Sequence, residues 1–135
     1  MPASFGPPDA ATFGFPTTGG KKVEAAFDGG RITSDGGVML LGAVERELGI
    51  AATLARLIAD PRNPASVTHG VDDILRARML AIACGYEDGD DLDFLRKDPG
   101  FKVACGRLPD TGDDLCSSRR CRDGRTRPPC ARWCA

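Results

Sequence analysis

The clearest helical spacing lies in the middle of the chain. Val71, Ile74, Leu75, Met79, Ile82 and Ala83 recur on one side, which predicts an amphipathic helix. Asp72 and Asp73 fall in its first turn, where the helix dipole favours acids, and Arg76 and Arg78 lie on its polar side. Thr68 is placed to cap its start, and Gly85 is a natural residue for its end. Upstream, Val38, Leu40, Leu41, Val44 and Leu48 form a second stripe, with Glu45, Arg46 and Glu47 turned largely away from it. Ser34 or Asp35 would cap that helix, and Gly49 would end or kink it. Ile50, Leu54, Leu57 and Ile58 continue as a short helix that Asp60-Pro61-Arg62-Asn63-Pro64 stops. Downstream, Asp90 would cap a short helix with Leu92 and Leu95, ended by Asp98-Pro99. Phe101, Val103 and Ala104 make one more apolar turn.

One segment alternates instead. Val23-Glu24-Ala25-Ala26-Phe27 leads into Asp28-Gly29-Gly30 and then Arg31-Ile32-Thr33. An Asp-Gly turn between two short apolar segments predicts a β-hairpin. The expected fold is therefore mainly α with a short N-terminal β-hairpin.

Composition divides the chain more sharply than periodicity does. Residues 1–22 are rich in Pro, Gly, Thr and Ala and end at Lys21-Lys22. They can bury too little to offset ordering entropy and are expected to be disordered. Residues 23–115 form the expected folded region. Residues 116–135 carry six Arg, one Asp and four of the six cysteines, with no apolar periodicity. The net charge of −1 thus hides a tail at +5 (six Arg against one Asp) and a remainder at −6. A basic tail of this kind is a common way to hold nucleic acid. No apolar run approaches the ~18 residues a membrane helix needs. The first twenty residues lack the basic and apolar regions of a secretory signal, so the cytoplasm is the expected location.

Candidate chemistry is sparse. Cys116, Cys121, Cys130 and Cys134 run C-x4-C-x8-C-x3-C. Structural zinc sites prefer closely spaced pairs, so a zinc-stapled tail ranks below an incidental cysteine-rich one. The acids Glu87, Asp88, Asp90, Asp91 and Asp93 fail the spacing of a calcium loop and read as capping residues and a solvated face. His69 is the only histidine, which rules out a histidine-based triad and suits a loop or helix start. Cys84 and Cys105 sit in apolar surroundings, as core cysteines do. Gly36-Gly37 before a helix could cradle an anion but lacks a full phosphate-loop pattern, so a capping role is favoured. No residue is assigned to catalysis, to a cofactor, to a metal or to nucleic acid.

Several segments nonetheless form a familiar set. They are Phe27-Asp28-Gly29-Gly30-Arg31-Ile32-Thr33-Ser34-Asp35-Gly36-Gly37, Asp73-Ile74-Leu75-Arg76-Ala77-Arg78, Ala81-Ile82-Ala83-Cys84-Gly85-Tyr86-Glu87-Asp88, Asp90-Asp91-Leu92-Asp93, Asp98-Pro99 and Ala104-Cys105-Gly106-Arg107-Leu108-Pro109. In this order they resemble the N-terminal region of bacterial insertion-sequence transposases of the DDE class, over about residues 23–116. The resemblance implies a fragment of a larger RNase H-like enzyme that cuts and joins DNA. In such enzymes three carboxylates hold two Mg²⁺ or Mn²⁺ ions for in-line attack on phosphate. In the family those acids lie beyond the matched region, so the fragment itself is expected to need no cofactor and to be inactive alone. DNA at the element ends and the full-length transposase are the implied partners.

The tail fits a further expectation. Family members continue with a segment like Ser-Gln-Pro-Thr-Met-Ser-Arg. Deleting one C from a CCC run in a gene encoding Cys-Ser-Gln-Pro-Thr-Met-Ser-Arg yields Cys-Ser-Ser-Arg-Arg-Cys-Arg, which is the sequence from Cys116 to Arg122. The chain is thus expected to be a transposase fragment truncated by a frameshift. The alternative is a small regulator that binds DNA or the oligomer interface of the full-length enzyme.

Overall fold

The computed structural model describes residues 15, 17–24 and 31–118. Its α-helices are α1 (Val38–Leu48), α2 (Ile50–Leu57), α3 (Val71–Ala83), α4 (Leu92–Leu95) and α5 (Pro99–Ala104), with a 3-10 turn at Pro64–Ser66. α1 packs on α5 and α2 on α3, while α3 also meets α1 and α4. The mainly helical expectation holds.

The β-hairpin does not. Its turn lies in residues 25–30, outside the described residues, and the flanking Val23, Glu24 and 31–33 carry no strand. The isolated antiparallel bridge among the described residues joins Thr18 to Lys21 through bonds of 2.9 and 3.0 Å. Thr18 is buried there, within the segment expected to be disordered. An Asp-Gly pair marks a turn, but Arg31, Ile32 and Thr33 pair with no strand, and Thr33 is engaged elsewhere, with Asp98.

The helix starts also differ from expectation. Neither Ser34 nor Asp35 caps α1, whose N-cap is Gly37 without a side-chain bond. The first amides instead turn back three residues: Val38 N–H to Asp35 O, Met39 N–H to Gly36 O and Leu40 N–H to Gly37 O. A 3-10 opening of this kind satisfies donors that a cap or an anion would otherwise take. Thr68 does not cap α3, which begins at Gly70 with no side-chain cap. Asp90 is not the cap of α4, where Asp91 stands at that position. Asp98-Pro99, expected as an end, is a beginning: the Asp98 carboxylate accepts from Phe101 N–H and Pro99 occupies the first turn of α5. Proline suits that place because its missing N–H would have had no helical partner.

The expected glycines do end α1 and α3, at Gly49 and Gly85. α3 and α5 both finish in Ala-Cys-Gly, and Gly85 and Gly106 both take positive φ, 95° and 80°. Tyr86 N–H reaches Ala81 O at 2.9 Å, and Arg107 N–H reaches Lys102 O at 2.7 Å. Each is the closing bond of a Schellman motif, which turns the chain sharply out of the helix.

The core gathers Val38, Ala77, Leu80, Ala81, Leu92, Leu95, Phe101, Ala104, Leu115 and Cys116, with Met39, Ile74, Cys84, Tyr86 and Cys105 packed against it. Phe101 is fully buried and meets the Tyr86 ring edge-to-face at 6.2 Å. The buried side of α3 is Ala77, Leu80 and Ala81, while Ile82 and Ala83 of the expected stripe face outward. Buried chain continues past α5 through Leu115, Cys116 and Ser118.

Candidate functional site

α1 meets α5 through its smallest residue. A Cβ at Gly42 would lie 2.6 Å from Ala104 O and 2.7 Å from Ala104 Cα. Two helix backbones approach this closely only where one side chain is absent. One turn on, Glu45 is buried, and its carboxylate accepts from Ile50 N–H and Ala51 N–H, each at 3.1 Å. Gly49, the N-cap of α2, has no side chain to do this. Glu45 therefore caps the next helix from within the preceding one, with its negative charge at the positive end of α2.

Glu45 opens a chain of charges. Arg76 of α3 lies 3.7 Å from Glu45, 3.2 Å from Asp73 and 3.8 Å from Asp72. Asp73 also receives Arg107 at 3.3 Å, and Arg107 lies 3.2 Å from His69 Nδ1. A guanidinium has no acceptor, so Nδ1 is the accepting nitrogen of that ring. Arg107 further donates to Asp114 O at 2.7 Å. Lys102, buried on α5, donates to Gly112 O at 3.0 Å and pairs with Asp114 at 3.2 Å. The Lys102 bond holds the Asp114 carboxyl below its ordinary range, with Arg96 and Lys97 adding to it. These pairs fasten the segment after α5 to α3 and to α5 itself, and Arg76 links that network on to α1.

A groove of 290 Å³ lies on the other side, lined by Ser34, Asp35, Tyr86, Asp91, Phe94, Leu95 and Asp98. Tyr86 Oη donates to Asp35 at 2.8 Å, and Thr33 Oγ1 donates to Asp98 at 2.9 Å. Losing the first bond on ionisation pushes the Tyr86 phenol above its ordinary value. Of the acidic cluster, Asp93 accepts from Ser118 N–H and Oγ, at 3.2 and 2.9 Å. Asp88 accepts from Asp90 N–H. No group of three or more His, Cys, Asp or Glu among the described residues is arranged to hold a metal ion. Cys116 lies in the core, and Cys121, Cys130 and Cys134 lie outside the described residues. Burial pushes the Cys105 thiol up to about 12. Cys84 and Cys105 pack on the core as expected.

Most cations of the described region are engaged internally. Besides Arg76, Arg107 and Lys102, Arg46 donates to Val103 O, Arg96 pairs with Asp114, Arg62 with Asp60 and Arg31 with Asp110. Arg78 binds the carbonyls of Glu87 and Asp88. Little basic surface is left over for a phosphate backbone. What stands open is apolar: Leu40, Leu41, Val44 and Leu48 of α1 and Ile50, Leu54 and Leu57 of α2 are all exposed. Of the α1 stripe expected in the core, only Val38 lies there. Charge hid Glu45, and the absence of a side chain hid Gly42. A sequence signal existed for the latter in the small residues Gly42 and Ala104, but nothing local paired them.

No helix of the described residues is long and apolar enough to cross a membrane. No curated protein and no solved structure matches the chain. The family model described as transposase DDE domain group 1 matches residues 15–124. That span takes in all five helices and the charge network, and runs past Cys116 into the arginine-rich segment. The function is thus transposase-related, tied to DNA transposition and recombination, and the chain belongs to the transposase DDE domain group 1 family.

Proposed function

We propose that this chain is the N-terminal helical part of a DDE transposase, one that positions the enzyme or its partners and does not cut DNA by itself. The observation that carries this reading is how the carboxylates are used. Asp35, Glu45, Asp73, Asp93, Asp98 and Asp114 are each committed to a helix end, a tyrosine, a serine or a cation. A two-metal site needs acids that converge on one point and stay available to the ions. A strand-transfer assay with Mg²⁺ or Mn²⁺ is expected to yield no product from this chain. Joined products from the chain alone would overturn the proposal.

We further propose that residues after Ser117 are read out of the ancestral frame. A one-base deletion in a CCC run leaves Cys116 and Ser117 unchanged, and Cys116 is the residue that packs into the core. The abrupt rise in arginine and cysteine begins just beyond. Nucleotide sequence around codon 116 tests this. A shifted frame continuing into spaced Asp, Asp and Glu codons is expected, and its absence would remove the frameshift.

The second reading, a small regulator, draws on the open apolar face and the +5 tail. It predicts retention of element-end DNA at physiological salt by the whole chain. Binding lost uniformly for all sequences as salt rises would reduce the tail to a non-specific polycation.

A further inference from the structure

We infer that the groove lined by Asp35, Tyr86, Asp91 and Phe94 receives this chain's own residues 119–135, with Trp133 on its apolar floor and Arg132 at its carboxylates. This docking belongs to the chain as it stands and does not depend on the transposase reading.

The groove joins two chemistries. Phe94, Leu95 and the Tyr86 ring supply an apolar floor, and Asp35, Asp91 and Asp98 supply negative charge. At 290 Å³ it lies at the small end of ligand pockets, with room for side chains rather than a cofactor. Two of its members are unused by the fold. Phe94 is 82% exposed, although Leu92 and Leu95 on the same short helix are buried. Asp91 stands at the N-cap of α4 but gives its carboxylate to no helix amide. An open ring and an available carboxylate in one groove suit a cation with an aromatic neighbour.

Residues 119–135 carry that pair. Arg132 and Trp133 are adjacent, and Trp133 is the chain's only tryptophan. Charge points the same way: residues 87–98 hold six acids against Arg96 and Lys97, whereas residues 119–135 hold six arginines against Asp123. So does the path of the chain. Leu115 N–H donates to Arg96 O at 3.1 Å, and Ser118 N–H and Oγ both bond the Asp93 carboxylate. The last described residues are thus held on α4, the helix that with Asp91 builds one wall of the groove. Trp133 lies fifteen residues beyond Ser118, a reach of up to about 50 Å when extended. A segment tethered at this point meets the groove at an effective concentration of about millimolar, which favours it over a separate partner of the same chemistry.

Tyr86 is the chain's only tyrosine, so the whole 135-residue chain carries its own donor and acceptor. The test is energy transfer from Tyr86 to Trp133, read from the excitation spectrum of the tryptophan emission with thiol reductant present. Transfer at least twofold above that of the urea-denatured chain, and independent of protein concentration, is expected at low salt. About 1 M NaCl, where the screening length is about 3 Å, should at least halve the excess. Asp91→Asn, Phe94→Ser and Arg132→Ala, made separately, should each at least halve it while circular dichroism keeps the parent helix content. Asp60→Asn, which removes an acid that pairs with Arg62 outside the groove, should leave it unchanged. Transfer no greater than in urea, transfer indifferent to salt or to the groove variants, or transfer that rises with protein concentration would each overturn the inference.

Discussion

The two sides of α1 carry the opposite of what their residues advertise. The side against α5 and α3 holds Val38, Gly42 and Glu45, one of them without a side chain and one charged. The side facing water holds Leu41, Val44 and Leu48. Contact at the first side is governed by backbone distance and by a carboxylate that two amides and a guanidinium need. Apolarity governs the second side, and within the described residues nothing covers it. Hydrophobic periodicity therefore locates a face that wants burial, but it does not say which neighbour buries it.

The comparison can be broken most forcefully at Gly42. Valine there would drive its Cβ into the Ala104 backbone, which has no flexible end to yield. A loss of about 3 kcal/mol or more is expected in denaturant unfolding, at the upper end for overpacked cores. Alanine is the sharper variant, because its helix propensity gains about 1 kcal/mol over glycine. If Gly42→Ala nevertheless lowers stability, close approach outweighs propensity. If it raises stability, α1 and α5 are not in contact as described.

Glu45→Ala should come next, at about 3 kcal/mol, the range for stripping one partner from a buried pair. It removes one of the three carboxylates around Arg76 and uncaps two amides of α2. Glu45→Gln keeps an acceptor and should recover part of the loss. Equal stability of all three forms would show that the carboxylate does no capping.

Tyr86→Phe removes the bond to Asp35 and should lower stability slightly near neutral pH. Its pH dependence gives a second readout. Because the folded-state phenol is raised, the folded chain holds that proton longer than the unfolded one. The bond's contribution is full below the ordinary phenol value, about 10, and fades as pH rises through the folded value. Parent and Tyr86→Phe stabilities should therefore converge at alkaline pH, and a constant gap would place the hydrogen bond elsewhere.

The smallest effect belongs to the outer face. Under conditions that keep the chain monomeric, Leu48→Glu should change unfolding free energy by no more than about 0.5 kcal/mol, as for an exposed site. A loss of several kcal/mol would mean that Leu48 is buried after all and would erase the contrast between the two sides. Native-state thiol labelling sets the same contrast against α5: Cys105, with its thiol near 12, should react only after denaturation.

Backbone signals are legible where a single residue acts alone. Gly49 and Gly85 end α1 and α3 through their own backbone freedom, whereas α2 ends at Leu57, well before Pro61, with Ile58 already extended. Caps are not legible in the same way. Ser34, Asp35, Thr68 and Asp90 all have the right side chains, yet three helix starts use none of them. The cap of α2 comes from Glu45, placed so by the turn at Gly49, and the Asp35 carboxylate goes to Tyr86, 51 residues away. Of the charge network, only the Asp72–Arg76 and Asp73–Arg76 pairs lie at helical spacing. Arg107, His69, Lys102 and Asp114 enter it through contacts that no spacing rule anticipates.

Sequence alone determined that this chain is mainly helical, where α1 and α3 end, that its charge is split between body and tail, and, through motifs in order, which family it resembles. Those properties reside in single residues or short windows, where rotamers, φ and periodicity act without distant partners. Tertiary structure alone decided which arc of α1 is inside, that Glu45 caps its successor, and that Cys116 belongs to the core. Those outcomes depend on how close two helix backbones can come and on where each buried charge finds its partner. Both are set only once distant segments are packed together.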